Sequence, residues 1–260
     1  MIDISIYSLI GVFLLLAIPV ALDFYLKLSI LRELVYSVIR MIIQLVLIAF
    51  FFRYLFAVNN PYFNLLWFMV MVTVAVFSVI RMSKLNKSKI LLSSFVSFAS
   101  TTFLVVVFVN LFVVRIDNIF DARYFIVIAG MLLGNSLRGN IVGIESFYRN
   151  IKDNNNRYLY TLSLGAGRIE ALLPYLKKSI VLALKPSFSA MATMGIVALP
   201  GMMTGAILGG VDPVMAIKYQ IMIMIAIIST TIMSVIFTVL LSVKFAFSPY
   251  GTLMDDIFVD

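Results

Sequence analysis

The chain has 260 residues, 63% of them hydrophobic and 12% charged, with a mean hydropathy of +1.10. That composition excludes a water-soluble globular domain and reads as an integral membrane protein. The net charge of +8 comes from basic residues lying between apolar stretches, where orientation in a membrane accounts for them and no nucleic-acid partner is implied.

Seven membrane spans are expected, each needing about 20 apolar residues. The first covers about residues 4–26 and lacks the basic leader and small-residue cleavage site of a signal peptide, so it should persist as a helix. The second, at about 35–56, carries Arg40 and Gln44 four residues apart on one helix face. The third covers about 62–80, and the basic cluster Arg81, Lys84, Lys87 and Lys89 separates it from a fourth at about 90–114. A short polar loop with Asp117 and Asp121 leads to a fifth at about 124–136, which contains the small-residue pair Gly130 and Gly134 and then Asn135. Close helix packing is the reading of the glycine pair, with Asn135 bonding across helices or touching substrate.

The composition then changes. Residues 138–178 form the one long polar region, helical in pattern, with a turn expected at Asn154-Asn155-Asn156. Within it, apolar residues flank a Gly165-Ala166-Gly167 break, a helix-turn-helix pattern that exposes Leu159, Leu162, Leu164, Ile169, Leu172 and Leu173 to a partner groove or to a lipid surface. The sixth span, at about 186–208, contains Pro200, which kinks or restarts a helix. Gly201, Gly205 and Gly209 follow at intervals of four, one face of a helix with no side chains. Broken, glycine-rich backbone of this kind marks a pathway or a packing kink. Asp212 before Pro213 reads as a helix start, and the seventh span covers about 214–243, leaving an acidic tail.

Placing the loops after spans one, three and five with the tail on one side gathers sixteen of the twenty Lys and Arg residues, leaving Arg53, Arg115, Arg123 and Lys218 on the other. The richer side is expected to be cytoplasmic, with Met1 outside and Asp260 inside. No Gly-x-x-x-x-Gly-Lys-Ser/Thr loop occurs, so the chain is not expected to bind and hydrolyse ATP itself. The absence of Cys and His removes disulfides, thiolate or imidazole metal sites and a His-based triad. Polar residues within spans, namely Arg40, Gln44, Asn110, Asn135, Thr204 and Gln220, are candidates for a transport pathway. For Arg40 the alternative is snorkelling to the near surface. Most of the fifteen methionines are read as packing. Met202 and Met203 stand out by position as thioether ligands, with Glu145 an available oxygen donor.

The run Leu199-Pro200-Gly201-Met202-Met203-Thr204-Gly205, followed by Ile207-Leu208-Gly209-Gly210, Pro213 and Tyr219-Gln220, resembles the hallmark of the iron-export ABC permease family of bacteria (FetB-like). That family is related to the membrane subunit of a plant aluminium-tolerance transporter. Arg40-x-x-x-Gln44-Leu45 and the run from Gly130 to Leu137 match as well, while Ala206 stands where relatives carry a polar Gln. The resemblance implies a homodimeric permease occupying 1–260 as one transmembrane domain of the bacterial inner membrane, exporting iron with a separate P-loop ATPase that holds ATP and Mg. The 138–178 segment is then the coupling segment, with Leu164, Gly165, Ala166, Gly167, Glu170, Leu172 and Pro174 meeting the ATPase. Pro200, Gly201, Met202, Met203, Thr204, Gly205, Asn135, Gln44 and Gln220 are expected along the substrate pathway, and Gly130, Gly134 and Gly209 in helix packing. Other cargo, metal or organic, a gradient-driven carrier and a non-transporting scaffold are the alternatives.

Overall fold

The computed structural model describes residues 5–248 and 250–258. Ile4, where the first span is expected to begin, and the termini Met1 and Asp260 lie outside the described residues. The chain divides into two compact units, Met1–Val58 with Leu208–Gly210, and Asn59–Ile207 with Val211–Asp260.

The first unit holds α1 (Ile6–Val12), a 3-10 turn (Phe13–Leu16), α2 (Ala17–Leu26) and α3 (Leu31–Val58). The first expected span is therefore a helix interrupted by one tighter turn. Asp23 stops the chain from continuing straight: it is buried, its Oδ1 accepts the Ile30 N–H at 2.8 Å and its carbonyl accepts the Leu28 N–H at 3.2 Å. Lys27 and Ser29 adopt left-handed backbone to make that reversal. The 28 residues of α3 span about 42 Å at 1.5 Å per residue, more than a bilayer core requires.

The second unit holds α4 (Pro61–Ser83), α5 (Lys87–Phe108) continued by a π-turn (Val109–Val114), α6 (Ala122–Asp153), α7 (Asn155–Ser163), α8 (Arg168–Thr193) and α10 (Pro213–Ala246), with all but the last residue of α9 (Gly201–Leu208) between the last two. The starts are set by short polar side chains that satisfy free N–H groups at the helix ends. Asn60 accepts the Tyr62 N–H at 2.9 Å ahead of Pro61, and Asn86 accepts the Ser88 N–H at 3.1 Å. Asp121 accepts the Arg123 N–H at 2.9 Å, and Asp212 accepts the Met215 N–H at 3.1 Å. The reading of Asp212 as a helix start therefore holds.

Among the described residues five helices are long and apolar enough to cross a membrane, namely α3, α4, α5 with its π-turn, α6 and α10. Two boundaries differ from expectation. α6 does not end near Ser136 but runs 32 residues to Asp153, because the polar positions after Ser136 bring no helix-stopping residue. α8 begins at Arg168 and ends at Thr193, passing through Pro174 and Pro186, so one helix joins the second arm of the polar region to the first part of the expected sixth span.

The core is built on α10, which packs along α5 and α6, with α4 and α8 flanking α6. Glycine sets the separation. A Cβ on Gly139 would collide with the Thr231 methyl, and one on Gly143 would sit 3.1 Å from Val235 Cγ1 and 3.2 Å from Ala183 Cβ, so α6, α8 and α10 meet there at backbone distance. At one end Phe68, Phe103, Phe120 and Phe125 pack ring to ring, with Phe68 and Phe125 at 5.6 Å in an edge-on arrangement. Asn59 ties that end together by donating to Asp121 Oδ2 at 2.8 Å while accepting the Ala122 N–H at 2.9 Å.

Candidate functional site

The glycine-rich stretch is irregular, as Pro200 predicts. α8 stops at Thr193, Gly195 takes φ +85°, and Thr193 O accepts the N–H groups of both Val197 and Ala198. Helix resumes at Gly201, where the Pro200 carbonyl accepts the Thr204 N–H at 2.9 Å. Gly201 and Gly205 share α9, and a Cβ on either would meet open space. Gly209 does not complete the ridge: it lies in the turn after α9, which closes with Gly210 at φ +89°. Met203 is buried and Met202 is exposed, with Thr204 between these extremes.

The other pathway candidates are dispersed. Gln44 on α3 and Asn135 on α6 are exposed, and Asn135 donates to Met131 O of its own helix at 2.8 Å rather than across helices. Gln220 on α10 is buried with Oε1 lacking a hydrogen-bond partner. Gly130 faces the flexible end of Met71, and Gly134 has nothing within reach of a Cβ; the close approach in α6 lies at Gly139 and Gly143 instead. Glu145 is held 2.7 Å from Arg149 on its own helix. Among the described residues no group of three or more His, Cys, Asp or Glu gathers as a metal would require.

A polar seam unnoticed in the sequence runs through the core. Asn140 is fully buried and donates to Ser136 O at 2.9 Å and to Ser234 Oγ at 2.6 Å. Around the α5, α6 and α10 contact, Ser93, Ser94, Thr102, Ser136 and Thr238 keep buried hydroxyls, and Asn140 its Oδ1, without a protein partner among the described residues. Such groups are ordinarily held by water. Asn140 lies past Arg138, in a stretch polar enough to read as extramembrane, so no local signal marks it as a core residue.

The polar region folds as the Gly-Ala-Gly break implies. α7 and α8 form a helical hairpin whose turn, Leu164 to Gly167, has Gly165 at φ +91°. Glu170 reaches back to the Gly167 N–H at 3.4 Å. Leu164 is 70% exposed and Ile169 66%, with Leu173 at 40%, whereas Leu172 is only 4% exposed. Leu172 therefore belongs to the core and is not available to a partner, because the α8 turn that presents Ile169 and Leu173 outward directs Leu172 inward. The tail fastens this hairpin. Tyr158 donates to Gly251 O at 2.8 Å and Arg168 to Ser248 O at 3.3 Å. Burial raises the Tyr158 hydroxyl above the usual tyrosine range, with Arg168 opposing the shift. Further along, Asn86 donates to Asp256 O at 2.8 Å and Lys89 pairs with Asp256 at 3.2 Å. The tail, expected only as acidic, is thus a clasp joining the α7–α8 hairpin, the α4–α5 turn and the end of α10.

Residues 6–247 match the family described as "Uncharacterised protein family (UPF0014)". The chain is 33% identical over 209 residues to Protein ALUMINUM SENSITIVE 3 of Arabidopsis thaliana, covering 80% of this chain and 74% of that one. It is 32% identical over 213 residues to the Probable iron export permease protein FetB of Escherichia coli (strain K12), covering 81% and 80%. A UPF0014 membrane protein of Synechocystis sp. is 30% identical over 224 residues, covering 85% and 86%. No solved structure matches the chain.

Proposed function

The chain belongs to the UPF0014 family of membrane proteins, and from that premise we propose that it is the permease subunit of an ABC exporter that moves iron out of a bacterial cell across the inner membrane. The observation that carries this reading is the α7–α8 turn, where Leu164 and Ile169 stand exposed on a hairpin pinned to the tail that follows α10 by Tyr158 and Arg168. Exposed apolar side chains on a rigid hairpin are suited to a groove on a partner. The partner is a P-loop ATPase that carries ATP and Mg. Pressure on the hairpin passes through the tail to α10, and so to α5 and α6. The hairpin and the basic loops after spans one and three face the cytoplasm, the chain crosses the membrane seven times, and its N-terminus lies outside.

The working unit is a homodimer. No charged residue occurs between Lys185 and Asp212, yet the backbone from 194 to 200 is irregular, with Ile196 91% and Val197 82% exposed. Irregular backbone at membrane depth needs protein cover, and a second copy supplies it. The open faces of Gly201 and Gly205 then meet that copy along the pathway, together with Met202, Met203 and Thr204. Ala206, at the position where the family resembled in the sequence usually has a polar Gln, favours a second reading in which the same machine carries another metal.

Reconstituting the chain with its ATPase and measuring metal-stimulated ATP hydrolysis tests the proposal. Stimulation by iron is expected. Metal transport by the purified chain with no ATPase present would replace the reading with a gradient-driven carrier, and no transport in either form would leave a scaffold.

A further inference from the structure

Asn59, Asn64, Asn110 and Asp121 form a polar cluster at the end of the second unit where α4 and α6 begin and α5 finishes in its π-turn. Asn64 and Asn110 are both 0% exposed. Asn64 Nδ2 donates to Phe120 O at 2.8 Å and to Asn59 Oδ1 at 3.3 Å, and Asn110 Nδ2 donates to Ile119 O at 2.9 Å. Those carbonyl oxygens only accept, so each contact fixes which end of the amide is the nitrogen. In both residues it is Oδ1 that has no partner among the described residues. The two carboxamides thus reach successive carbonyls of one turn. The next residue of that turn is Asp121, which accepts from Asn59 Nδ2 at 2.8 Å and caps α6 through the Arg123 N–H at 2.9 Å.

The cluster has more acceptors than donors and carries a negative charge. Asp121 is half-buried and makes no ion pair among the described residues. Arg123 meets it through the backbone N–H, and Arg115 directs its Nε to Phe112 O at 3.4 Å. A water molecule donates to unpartnered Oδ1 atoms but leaves the carboxylate uncompensated. A cation answers both needs, since it takes lone pairs from neutral oxygens and offsets the charge. Every donor here is an oxygen, which selects a hard ion. Three clustered Asp, Glu, His or Cys residues are not needed for such an ion, because carboxamide and backbone carbonyl oxygens serve as calcium ligands. Asn110 also lies in the π-turn, a local distortion found mostly at functional sites.

We propose that Asp121, Asn64 and Asn110 hold a hard cation of the calcium kind, with Asp121 supplying the charge and the two Oδ1 atoms the neutral ligands. The ion ties the starts of α4 and α6 to the π-turn of α5. A single carboxylate makes the site weak, with a Kd of about 10⁻⁴ to 10⁻³ M, the range of extracellular calcium modules. The split of basic residues puts this end of the bundle outside the cell, where that range is useful. The site does not depend on the ATPase reading.

The test is equilibrium dialysis of the full chain in detergent against radioactive calcium, comparing wild type, Asp121→Asn, Asn110→Asp and Asp117→Asn. Asp121→Asn removes the charge and keeps a side chain able to cap α6, while Asp117 is exposed in the same loop and serves as the control. Wild type should bind one calcium per chain saturably. Asp121→Asn should weaken binding on the order of tenfold or more, Asn110→Asp should tighten it by a similar factor, and Asp117→Asn should leave it unchanged. Thermal unfolding without calcium checks that each variant folds. If Asp121→Asn does not fold, Asn110→Asp carries the test, and a folded Asn110→Asp chain with no gain in affinity overturns the proposal. Absence of saturable calcium binding by wild type overturns it and leaves the two Oδ1 atoms to water. Undiminished binding by a folded Asp121→Asn chain, or loss of binding in Asp117→Asn, overturns the assignment of the ligands.

Discussion

Gly139 stands where α6 comes nearest α10, and one added methyl there must displace the Thr231 methyl. Gly139→Ala is expected to destabilise the protein by about 1–3 kcal/mol, the usual cost of overpacking. Thr231→Ser, which removes the opposing methyl, should recover a large part of that loss in the double variant. Thermal unfolding in detergent measures both. Gly134→Ala offers the contrast: with nothing within reach of its Cβ, its stability should be unchanged or raised by up to about 1 kcal/mol. A loss at Gly134 comparable to that at Gly139 would mean that another protein surface covers it. The sequence pointed to the Gly130 and Gly134 pair because both glycine pairs share the same spacing. Only the position of α10 distinguishes them.

At the scale of helices, the hairpin separates two leucines that the sequence placed together. Leu164→Asp puts a charge on an exposed tip, so the chain should fold and insert while ATPase co-purification and export fall. Leu172→Asp puts a charge into the core, where an unpaired carboxylate costs several kcal/mol or remains protonated, so expression and thermal stability should fall first. Pull-down and melting on the same preparations distinguish these outcomes. Normal export by Leu164→Asp would remove the docking role of the turn. The tail offers an independent check on transmission. Tyr158→Phe deletes the bond to Gly251 O at a cost of about 0.5–1.5 kcal/mol. It is expected to leave ATPase binding intact while reducing the export obtained per ATP, and unchanged coupling would mean that the clasp is only structural.

Across the whole molecule, the split of basic residues predicts sidedness. Single cysteines at Ser88 and Asn155 should be inert to an impermeant thiol reagent in intact cells and reactive in inverted vesicles, and one at Asp117, which is exposed, should behave in the opposite way. Labelling of Asn155 in intact cells would reverse the topology and remove the hairpin from the reach of a cytoplasmic ATPase.

The membrane class, the helical fold, most span starts, the break at Pro200 and the Gly165 turn were all legible in the sequence. Each is decided locally, by runs of apolar residues, by a side chain that caps its own helix, or by a residue whose backbone permits little else. The length of α6, the inward turn of Leu172, the contact at Gly139 and Gly143, the buried Asn140 and the tail clasp were decided only in three dimensions. An isolated helix has no inside until a neighbour covers one face, and it is α10 that covers α6 and so determines which of its polar and glycine positions become core.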